Sequence, residues 1–518
     1  MTRRLTALLL ALTLALSLSG CWTEEPEPED FWTDDSAQEE APGGETSAVQ
    51  IAEFTLPCLS GQTFDPVDCI DGVQQTVGAL LYEPLFTLDG ELEPQPVLCS
   101  GYRYDEQTLT YTFALRGAAV FSDGSPLTAA DVLAVYRRAA ESERYAARFA
   151  DVVSMRSADG AVLVTLARAN ARFPALLDIP IVKAGTEKNP VPLGTGPYLY
   201  VSSAGGAALC ANSAWWRDVS LPVERIALAA VKDNDTAASL FASHSVHFLL
   251  ADPTGIDAIP ASGGASLTDV PTTVMQFLGF NTRRALFADA ALRAAMSGRI
   301  ERGPLVSALL SGHAMSAQFP VSPVSPLYPK EREFRTSADE YAAALEEAGV
   351  SASRPRTVTL LVNEENAFKC AVADSICAQL TTDALTVTAH RLPWGEYLAA
   401  LQSGSFDLFL GEVRLTADWN IRGLIDPAGA LNYGGYEGET LTARFDAFSA
   451  GGRAASDAFY ASFAAETPFA PLLFKSEAVL TPSGAVSDMT PTVSNPFSGM
   501  ESWRFPSLSA AEAQPSGG

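Results

Sequence analysis

The best-spaced candidates for metal chemistry are His244 and His247, which stand at i,i+3 as metal ligands on one helical turn would. The chain holds only four histidines, and no acidic cluster or cysteine lies near this pair beyond Asp252. No Cys-x-x-Cys pair occurs that would indicate zinc. We therefore expect no metal site and no cofactor.

Catalytic signatures are missing from the sequence. It contains no Gly-x-Ser-x-Gly, His-Glu-x-x-His, Walker A or Gly-x-Gly-x-x-Gly pattern. The glycine-rich run Gly194-Thr195-Gly196-Pro197-Tyr198 contains a proline, which removes one of the amide donors that a phosphate cradle would use. We interpret this run as a tight turn before a strand and predict that the protein is not an enzyme.

The N-terminus indicates export. Arg3 and Arg4 precede the apolar run Leu5–Leu18, whose length is typical of a signal peptide and short for a membrane span. The run ends in Leu18-Ser19-Gly20-Cys21, which resembles the lipobox of bacterial lipoproteins. This resemblance implies cleavage before Cys21, lipidation of its thiol, and a location on the extracytoplasmic face of the cell membrane. We therefore predict a signal peptide over 1–20.

Beyond the signal peptide, charge and length indicate a tether and a large folded part. Residues 21–47 are rich in Asp, Glu, Pro and Gly and contain no Lys or Arg, so we predict an acidic, disordered tether. The whole chain carries a net charge of −27, which disfavours nucleic acid as a partner. About 465 residues remain, too many for one hydrophobic core, and they predict two or more lobes.

Cysteines are too few for a disulfide framework in a chain of this length. Cys370 and Cys377 fall at i,i+7 of one predicted helix, which separates their Cα atoms by roughly 10 Å, too far for a disulfide. Cys58 and Cys69 could pair across a loop, and the sequence leaves this open.

Periodicity predicts an α/β fold. The alternating run 107–116 predicts a half-buried strand, and Thr128 with Asp131 predicts a capped helix after Pro126. Ser337 and Glu340 form a second capping box, before a helix that Gly349 ends. Next come a strand over 357–362, a helix with apolar residues at every fourth position from Phe368 to Leu380, and strands over 385–390 and 406–410. This alternation predicts mixed sheets.

Several segments resemble one family, the extracellular solute-binding proteins of the peptide/nickel class that serve ABC importers. The resemblance covers roughly residues 50–480, in the family's order. Its segments are Leu80–Leu85, Asp89-Gly90, Pro94–Pro96, Tyr111–Arg116, Val120–Val132, Gly194–Tyr198, Trp215-Trp216, Gly279–Asn281, Leu292–Met296, Ala348-Gly349, Gly404–Asp407 and Ala417–Asn420.

The resemblance implies a two-lobed, type II periplasmic-binding-protein fold with an extra subdomain and a hinge between the lobes. The chain would cross between the lobes near Asn281 and near Thr467. Ligand would lie in the cleft, which closes by hinge bending. The implied divisions are lobe I (48–80, 191–281 and 465–507), an inserted subdomain (81–190), lobe II (282–464) and a disordered tail (508–518).

The resemblance also implies ligand contacts. In peptide-binding relatives, an acidic residue of an Ala-Asp-aromatic-Asn segment pairs with the peptide ammonium, and this position is Asp418; the alternative is a turn cap. Trp419 could stack on ligand or belong to the core. Glu412 and Arg414 could line the cleft or pair with each other on the surface. Trp394 and Tyr433 are further candidates, whereas His247 stands where relatives often have aspartate and is assigned no function.

Three functions remain open from the sequence. We expect a monomeric transport receptor that binds a short peptide and delivers it to ABC permease subunits. The same fold could instead bind a nickel chelate, haem, an oligosaccharide or an opine. A secreted hydrolase or adhesin is the third possibility, although no nucleophile motif and no repeats support it.

Overall fold

The computed structural model describes residues 51–256 and 264–506, so the signal peptide, Cys21, the tether and the tail lie outside the described residues. Within the described part, no helix is long and apolar enough to cross a membrane. The strands are β1 (Thr55–Leu59), β2 (Phe86–Leu88), β3 (Pro94–Pro96), β4 (Cys99–Asp105), β5 (Thr110–Leu115), β6 (Val152–Ala158), β7 (Ala161–Leu166), β8 (Tyr198–Ser203), β9 (Gly206–Ala211), β10 (Arg225–Val231), β11 (Leu249–Ala251), β12 (Ala265–Phe280), β13 (Ala314–Ser316), β14 (Arg356–Asn363), β15 (Leu385–Leu392), β16 (Leu408–Arg414) and β17 (Phe469–Pro482).

Helices alternate with these strands, as the sequence predicts. Short 3₁₀ turns cover Ala146–Phe149, Phe173–Leu176, Lys330–Arg332 and Met500–Ser502, and a π-helical turn covers Leu305–Leu309. The α-helices are α1 (Gly72–Gly78), α2 (Ala129–Glu141), α3 (Asn234–Ala242), α4 (Ala285–Ala288), α5 (Ala290–Arg299), α6 (Arg302–Pro304), α7 (Ala338–Glu347), α8 (Ala367–Leu380), α9 (Trp394–Ser403), α10 (Arg422–Ile425), α11 (Glu439–Ala450) and α12 (Arg453–Glu466).

Two four-stranded sheets lie in the first half of the chain. One has the order β1-β10-β9-β8, with β1 and β10 parallel and the remaining pairs antiparallel. The other, β4-β5-β7-β6, is antiparallel throughout and falls within the predicted inserted subdomain. Helix α2 packs beside this second sheet and begins at the predicted capping box, where the Thr128 amide donates to Asp131 Oδ2 at 2.9 Å.

The largest sheet has seven strands, six of them in the order β11-β17-β12-β16-β14-β15, with β13 paired to β17. Strand β14 runs parallel to both β15 and β16, and α8 connects β14 to β15. The predicted βαβ series is therefore confirmed, and with it a mixed α/β fold. Helix α7 begins at the predicted Ser337–Glu340 capping box, and Gly349 follows it with φ +78°.

Strands β12 and β17 are much longer than the other strands and pair antiparallel along almost their whole length. Strand β17 also pairs with β11 over residues 478–480 and with β13 over residues 473–475. Strand β12 also pairs with β16 over residues 274–280. The register slips between Pro271 and Met275, where proline cannot donate to the ladder and the pairing is interrupted. The predicted crossing points lie at one end of this pair, since Asn281 follows the last residue of β12 and Thr467 lies just before the first residue of β17.

Two strand boundaries differ from the sequence-based expectations, and the state of the cysteines, which the sequence left open, is now visible. Strand β5 begins at Thr110 because Asp105 accepts from the amides of Gln107 and Thr108 and folds those residues into a turn. Strand β16 begins at Leu408 and continues to Arg414, so the segment 411–414 belongs to the strand. All six cysteines among the described residues are free thiols, Cys58 and Cys69 included.

The glycine-rich run is a turn before β8, as predicted, and its glycines are sterically required. A Cβ at Gly194 would overlap the carbonyl oxygen of Leu81 and the ring of Tyr82. A Cβ at Gly196 would lie 2.6 Å from the Leu80 and Leu81 carbonyl oxygens. This close approach lets the amides of Gly196 and Tyr198 donate to the main chain at Leu80–Leu81, which fixes the chain leading to Glu83.

Candidate functional site

A cavity of about 740 Å³ is lined in part by the long paired strands β12 and β17, which we call the crossing strands after the predicted crossing points beside them. Its volume is within the range of about 300–1,000 Å³ typical of small-ligand sites. Most of its wall comes from the first half of the chain, including residues around α1, residues 144–148 and the turn at Trp215–Arg217. Thr273 of β12 and Glu477 of β17 contribute from the crossing strands. Residues 414–417, at the end of β16, close the cavity from the other side.

Charged side chains of both signs line this cavity, mostly as pairs. Arg148 donates to Asp178, and Arg414 Nη2 lies 3.0 Å from Glu477 Oε1. Burial lowers the pKa of Arg148 to about 10, so its guanidinium stays charged at neutral pH. Paired charges in a partly enclosed wall can exchange partners with a charged ligand at a modest cost, because neither charge is left unpaired.

Glu83 is the most buried acid in the cavity wall, with 7% of its surface exposed. Its Oε1 accepts from Trp215 Nε1 at 3.2 Å, and its Oε2 accepts from Trp216 Nε1 at 2.7 Å and from Thr195 Oγ1 at 2.9 Å. Burial raises the pKa of Glu83, and these hydrogen bonds oppose the shift. The carboxylate therefore fixes both indole rings, of which Trp215 lines the cavity.

Asp418 lies just behind the cavity wall that Thr416 and Ala417 form, and it is only 8% exposed. Its Oδ2 accepts from Asn170 Nδ2 at 2.8 Å and its Oδ1 accepts from the Thr416 hydroxyl at 2.5 Å. Burial raises the pKa of this carboxyl group, and the hydrogen bonds oppose the shift. In this conformer Asp418 thus joins two distant parts of the chain.

Arg172 makes a second connection next to Asp418. Its Nη1 donates to both carboxylate oxygens of Glu93 at 2.7 and 2.9 Å, and its Nη2 donates to the Leu92 carbonyl at 3.0 Å. Its Nε and Nη2 also reach the Ala417 carbonyl oxygen, at 3.3 and 3.2 Å. Asn170 and Arg172 therefore tie the segment that follows β7 to the segment after β16, whose residues 416 and 417 line the cavity.

Glu412 does not pair with Arg414 and is absent from the cavity wall. Gln276 Nε2 donates to its Oε2 at 2.9 Å, and the ammonium groups of Lys369 and Lys475 lie 3.3 and 3.8 Å from its carboxylate. Lys475, 4% exposed and on a crossing strand, also contacts Asp252, which does line the cavity. Glu412 therefore belongs to a charge cluster at the crossing strands.

The structure separates the aromatic candidates from the cavity. Trp419 is fully buried, edge-on to Phe474, so it belongs to the core. Trp394 is 58% exposed and stacks on Tyr397, and Tyr433 packs edge-on against Phe409. Of the six candidate ligand residues, the structure places Arg414 in the wall and Asp418 directly behind it.

Neither histidine of the candidate pair is arranged for a metal. His247 Nδ1 accepts from the Thr55 amide at 3.0 Å, and burial lowers its pKa. Over residues 51–256 and 264–506, no group of three His, Cys, Asp or Glu residues lies close enough together to hold a metal ion.

Sequence reasoning missed Glu83, Arg148, Arg217 and Arg172 as site residues. Glu83 and the Trp215-Trp216 pair lie in segments that carry the family resemblance. The resemblance therefore marked these residues, but nothing in the sequence indicated that they belong to a site. Nothing local distinguishes Arg148, Arg172 or Arg217 from other surface arginines.

Comparison with known proteins places the chain in a family. The model of "Bacterial extracellular solute-binding proteins, family 5 Middle" matches residues 93–427. "Glutathione-binding protein GsiB" of Salmonella choleraesuis (strain SC-B67) is 27% identical over 277 residues, which are 50% of this chain and 54% of that protein. The chain thus spans about half the length of the curated relatives it matches.

Solved structures share the fold. The nickel-binding protein NikZ from Campylobacter jejuni, in complex with Ni(L-His), superposes with a TM-score of 0.63 at 16% identity, covering 88% of this chain and 100% of NikZ. The oligopeptide-binding protein AppA from Bacillus subtilis, in complex with a nonapeptide, gives 0.59 at 18% identity, covering 88% and 100%. These likenesses confirm the two-lobed, type II periplasmic-binding-protein fold. Because the family model spans well over half of the 518 residues, the chain belongs to the bacterial extracellular solute-binding proteins of family 5.

Proposed function

We propose that this chain is a lipid-anchored receptor that captures a short peptide between its two lobes and delivers it to the permease of an ABC importer. The observation that carries the proposal is the cavity of about 740 Å³, walled by charged pairs of both signs and closed by the segment Thr416–Ala417. A peptide offers an ammonium, a carboxylate and main-chain amides, which such a wall can satisfy.

Asp418 is the proposed partner of the peptide ammonium. In the present conformer Asn170 supplies a neutral donor to the Asp418 carboxylate. An ammonium that replaced this amide would meet a buried carboxylate that accepts hydrogen bonds from neutral groups in the present conformer. In the exchange, a ligand group would take the place of one of the two connections between the segment after β7 and the segment after β16, so ligand binding would act on lobe closure at this residue.

The names of the relatives cover a nickel complex, a nonapeptide and glutathione, so the ligand itself is a proposal. We propose a peptide because the segment Ala417–Asn420 resembles that of peptide-binding relatives. Anchoring through Cys21 rests on the lipobox-like sequence alone. In this function the protein binds its ligand without chemical conversion and acts as a monomer.

The experiment is calorimetric titration of the wild-type chain and three variants with short peptides, each as a free amine and as its N-acetylated form. Asp418→Ala should abolish binding of free peptides and leave the fold intact by circular dichroism. Asn170→Ala removes the same hydrogen bond and keeps the carboxylate. Asp374→Ala breaks a surface pair with Arg391 and serves as the control.

An ammonium role predicts that Asp418→Ala erases the preference for free over acetylated peptide, whereas Asn170→Ala keeps it. Equal losses for both peptide forms in both variants would mean that Asp418 only joins the lobes. If wild-type protein bound no peptide, the peptide part of the proposal would fail, and mass spectrometry of the molecule that co-purifies in the cleft would identify its replacement.

A further inference from the structure

We propose that Arg217, at the Trp215 end of the cavity, binds a carboxylate group of the ligand and makes the receptor selective for ligands that carry one. This inference rests on the proposed function, since it assigns a partner for the anionic end of a peptide. It concerns a different part of the wall from Asp418, and it assigns selectivity to a residue that lies outside the Ala-Asp-Trp-Asn segment.

The guanidinium of Arg217 has its hydrogen-bonding capacity free. Three other arginines in the cavity wall donate to protein acceptors: Arg144 to the Cys69 carbonyl and Gln75, Arg148 to Asp178, and Arg414 to Glu477. Arg217 makes no hydrogen bond to any residue that the structure describes, and its nearest carboxylate oxygen, Glu501 Oε1, lies 3.9 Å from Nη1. That distance is beyond a hydrogen bond, so all five N–H donors remain available.

The orientation of Arg217 is nevertheless fixed. Its guanidinium carbon lies 5.4 Å from the ring centre of Trp215 and 5.0 Å from that of Trp216. Both indoles are themselves held by hydrogen bonds to the buried Glu83. Stacking on a rigid aromatic pair limits the rotamers of the arginine in advance, which lowers the entropy lost when a ligand binds.

A planar guanidinium with free donors fits a carboxylate, which it can bind through two parallel hydrogen bonds. A lysine at this position would offer neither two parallel N–H donors in one plane nor a planar group that stacks on the indole rings. Glu501 is the competitor: it is an exposed residue in the middle of a 3₁₀ turn, and its contact with Arg217 is longer than a hydrogen bond. A ligand carboxylate can therefore take the guanidinium at little cost. The carboxylate could be the C-terminal group of a peptide or an acidic side chain.

The test uses four peptide probes with the full-length chain: trialanine, trialanine amide, Ala-Glu-Ala and Ala-Glu-Ala amide. Affinities are measured by calorimetry for wild type, Arg217→Gln and Arg116→Gln. Arg116 is the matched control, because its guanidinium stacks on Trp216 at 4.5 Å but does not line the cavity. Arg217→Gln keeps a polar side chain of similar length and removes the charge and the fork.

In wild type, removing every carboxylate should weaken binding by about ten- to hundredfold, the effect of a charge-assisted bidentate pair. Arg217→Gln should bring the ratio of acid to amide affinity close to one, and Arg116→Gln should keep the wild-type ratio. If trialanine amide binds more weakly than trialanine, Arg217 binds the C-terminal carboxylate. If Ala-Glu-Ala amide binds as tightly as the peptides with a free C-terminus, Arg217 can also bind the glutamate side chain.

Other results overturn the inference. If wild type binds acids and amides equally, or if Arg217→Gln weakens every probe by the same factor, Arg217 only supports the wall and the receptor function stands without it. If none of the probes binds, the peptide function fails and the inference fails with it. The two failures are therefore distinguishable in one data set.

Discussion

Arg172 should control how strongly the lobes stay closed, and Arg172→Met tests this. The side chain is largely buried and makes five donor contacts, of which only the two to the Ala417 carbonyl reach the segment after β16. Methionine keeps most of the apolar stem and removes the charge and every donor. The contacts with Glu93 and Leu92 are lost in both the open and the closed states, so they cancel in the closure equilibrium.

The two donors to the Ala417 carbonyl share one acceptor oxygen, so we count them as one charge-assisted hydrogen bond of about 1.5–3 kcal/mol. Losing it shifts the closure equilibrium toward the open state by about ten- to hundredfold. Because ligand is held in the closed state, the apparent dissociation constant should rise by up to that factor, in proportion to the loss of the closed fraction. Calorimetry reports this factor, and small-angle X-ray scattering of the ligand-free protein reports the accompanying increase in radius of gyration.

Arg168→Met is the matched control, since Arg168 lies four residues away and pairs with Asp151 on the surface. It should change neither measurement. The reasoning is refuted if Arg172→Met leaves both affinity and radius at their wild-type values, or if the two variants change them equally. A loss of thermal stability in Arg172→Met with unchanged affinity would mean that the contacts with Glu93 and Leu92 dominate.

Two further predictions concern the anchor and the packing of the cavity wall. Cys21→Ser should release the protein from membranes, and a variant that still sediments with membranes after a carbonate wash would require another anchor. Gly194→Ala should destabilise the fold by about 1–3 kcal/mol in chemical denaturation, because the new methyl group overlaps the Leu81 carbonyl. Gly101→Ala, whose Cβ would have nothing within 4 Å, is the control, and equal effects of the two substitutions would contradict the steric argument.

Local signals predicted much of the fold because they act over a few residues. The capping boxes at Thr128 and Ser337 involve partners three residues apart, and both are present. The end of β16 was missed because its extension depends on β12. Glu412 lies opposite Gln276 in the paired strands and accepts a hydrogen bond from its side chain. No sequence pattern within 411–414 indicates that partner.

The candidate site was predictable only where the resemblance reached it. The segment at Asp418 was found through its neighbours in sequence, although its contact with Asn170, 248 residues away, was not. Glu83 and Trp216 are separated by 133 residues, and their hydrogen bond exists only after two sheets have formed. Arg217 acquires its setting from these same long-range contacts. Of the two alternatives for Glu412 and Arg414, the one in which they pair with each other on the surface is wrong, because each has a different ionic partner.

We propose that the paired strands β12 and β17 form the hinge, and such a hinge has a mechanical character of its own. Two independent linkers would act as swivels and allow rotation about several axes, whereas a hydrogen-bonded ribbon resists shear and stretching and yields mainly by twisting. The ladder is interrupted between Pro271 and Met275 and again between Gln276 and Phe277, so torsion should concentrate in this stretch of the ribbon. Closure should then be a rotation about a single axis, and the two faces of the cleft should meet in the same relative position each time.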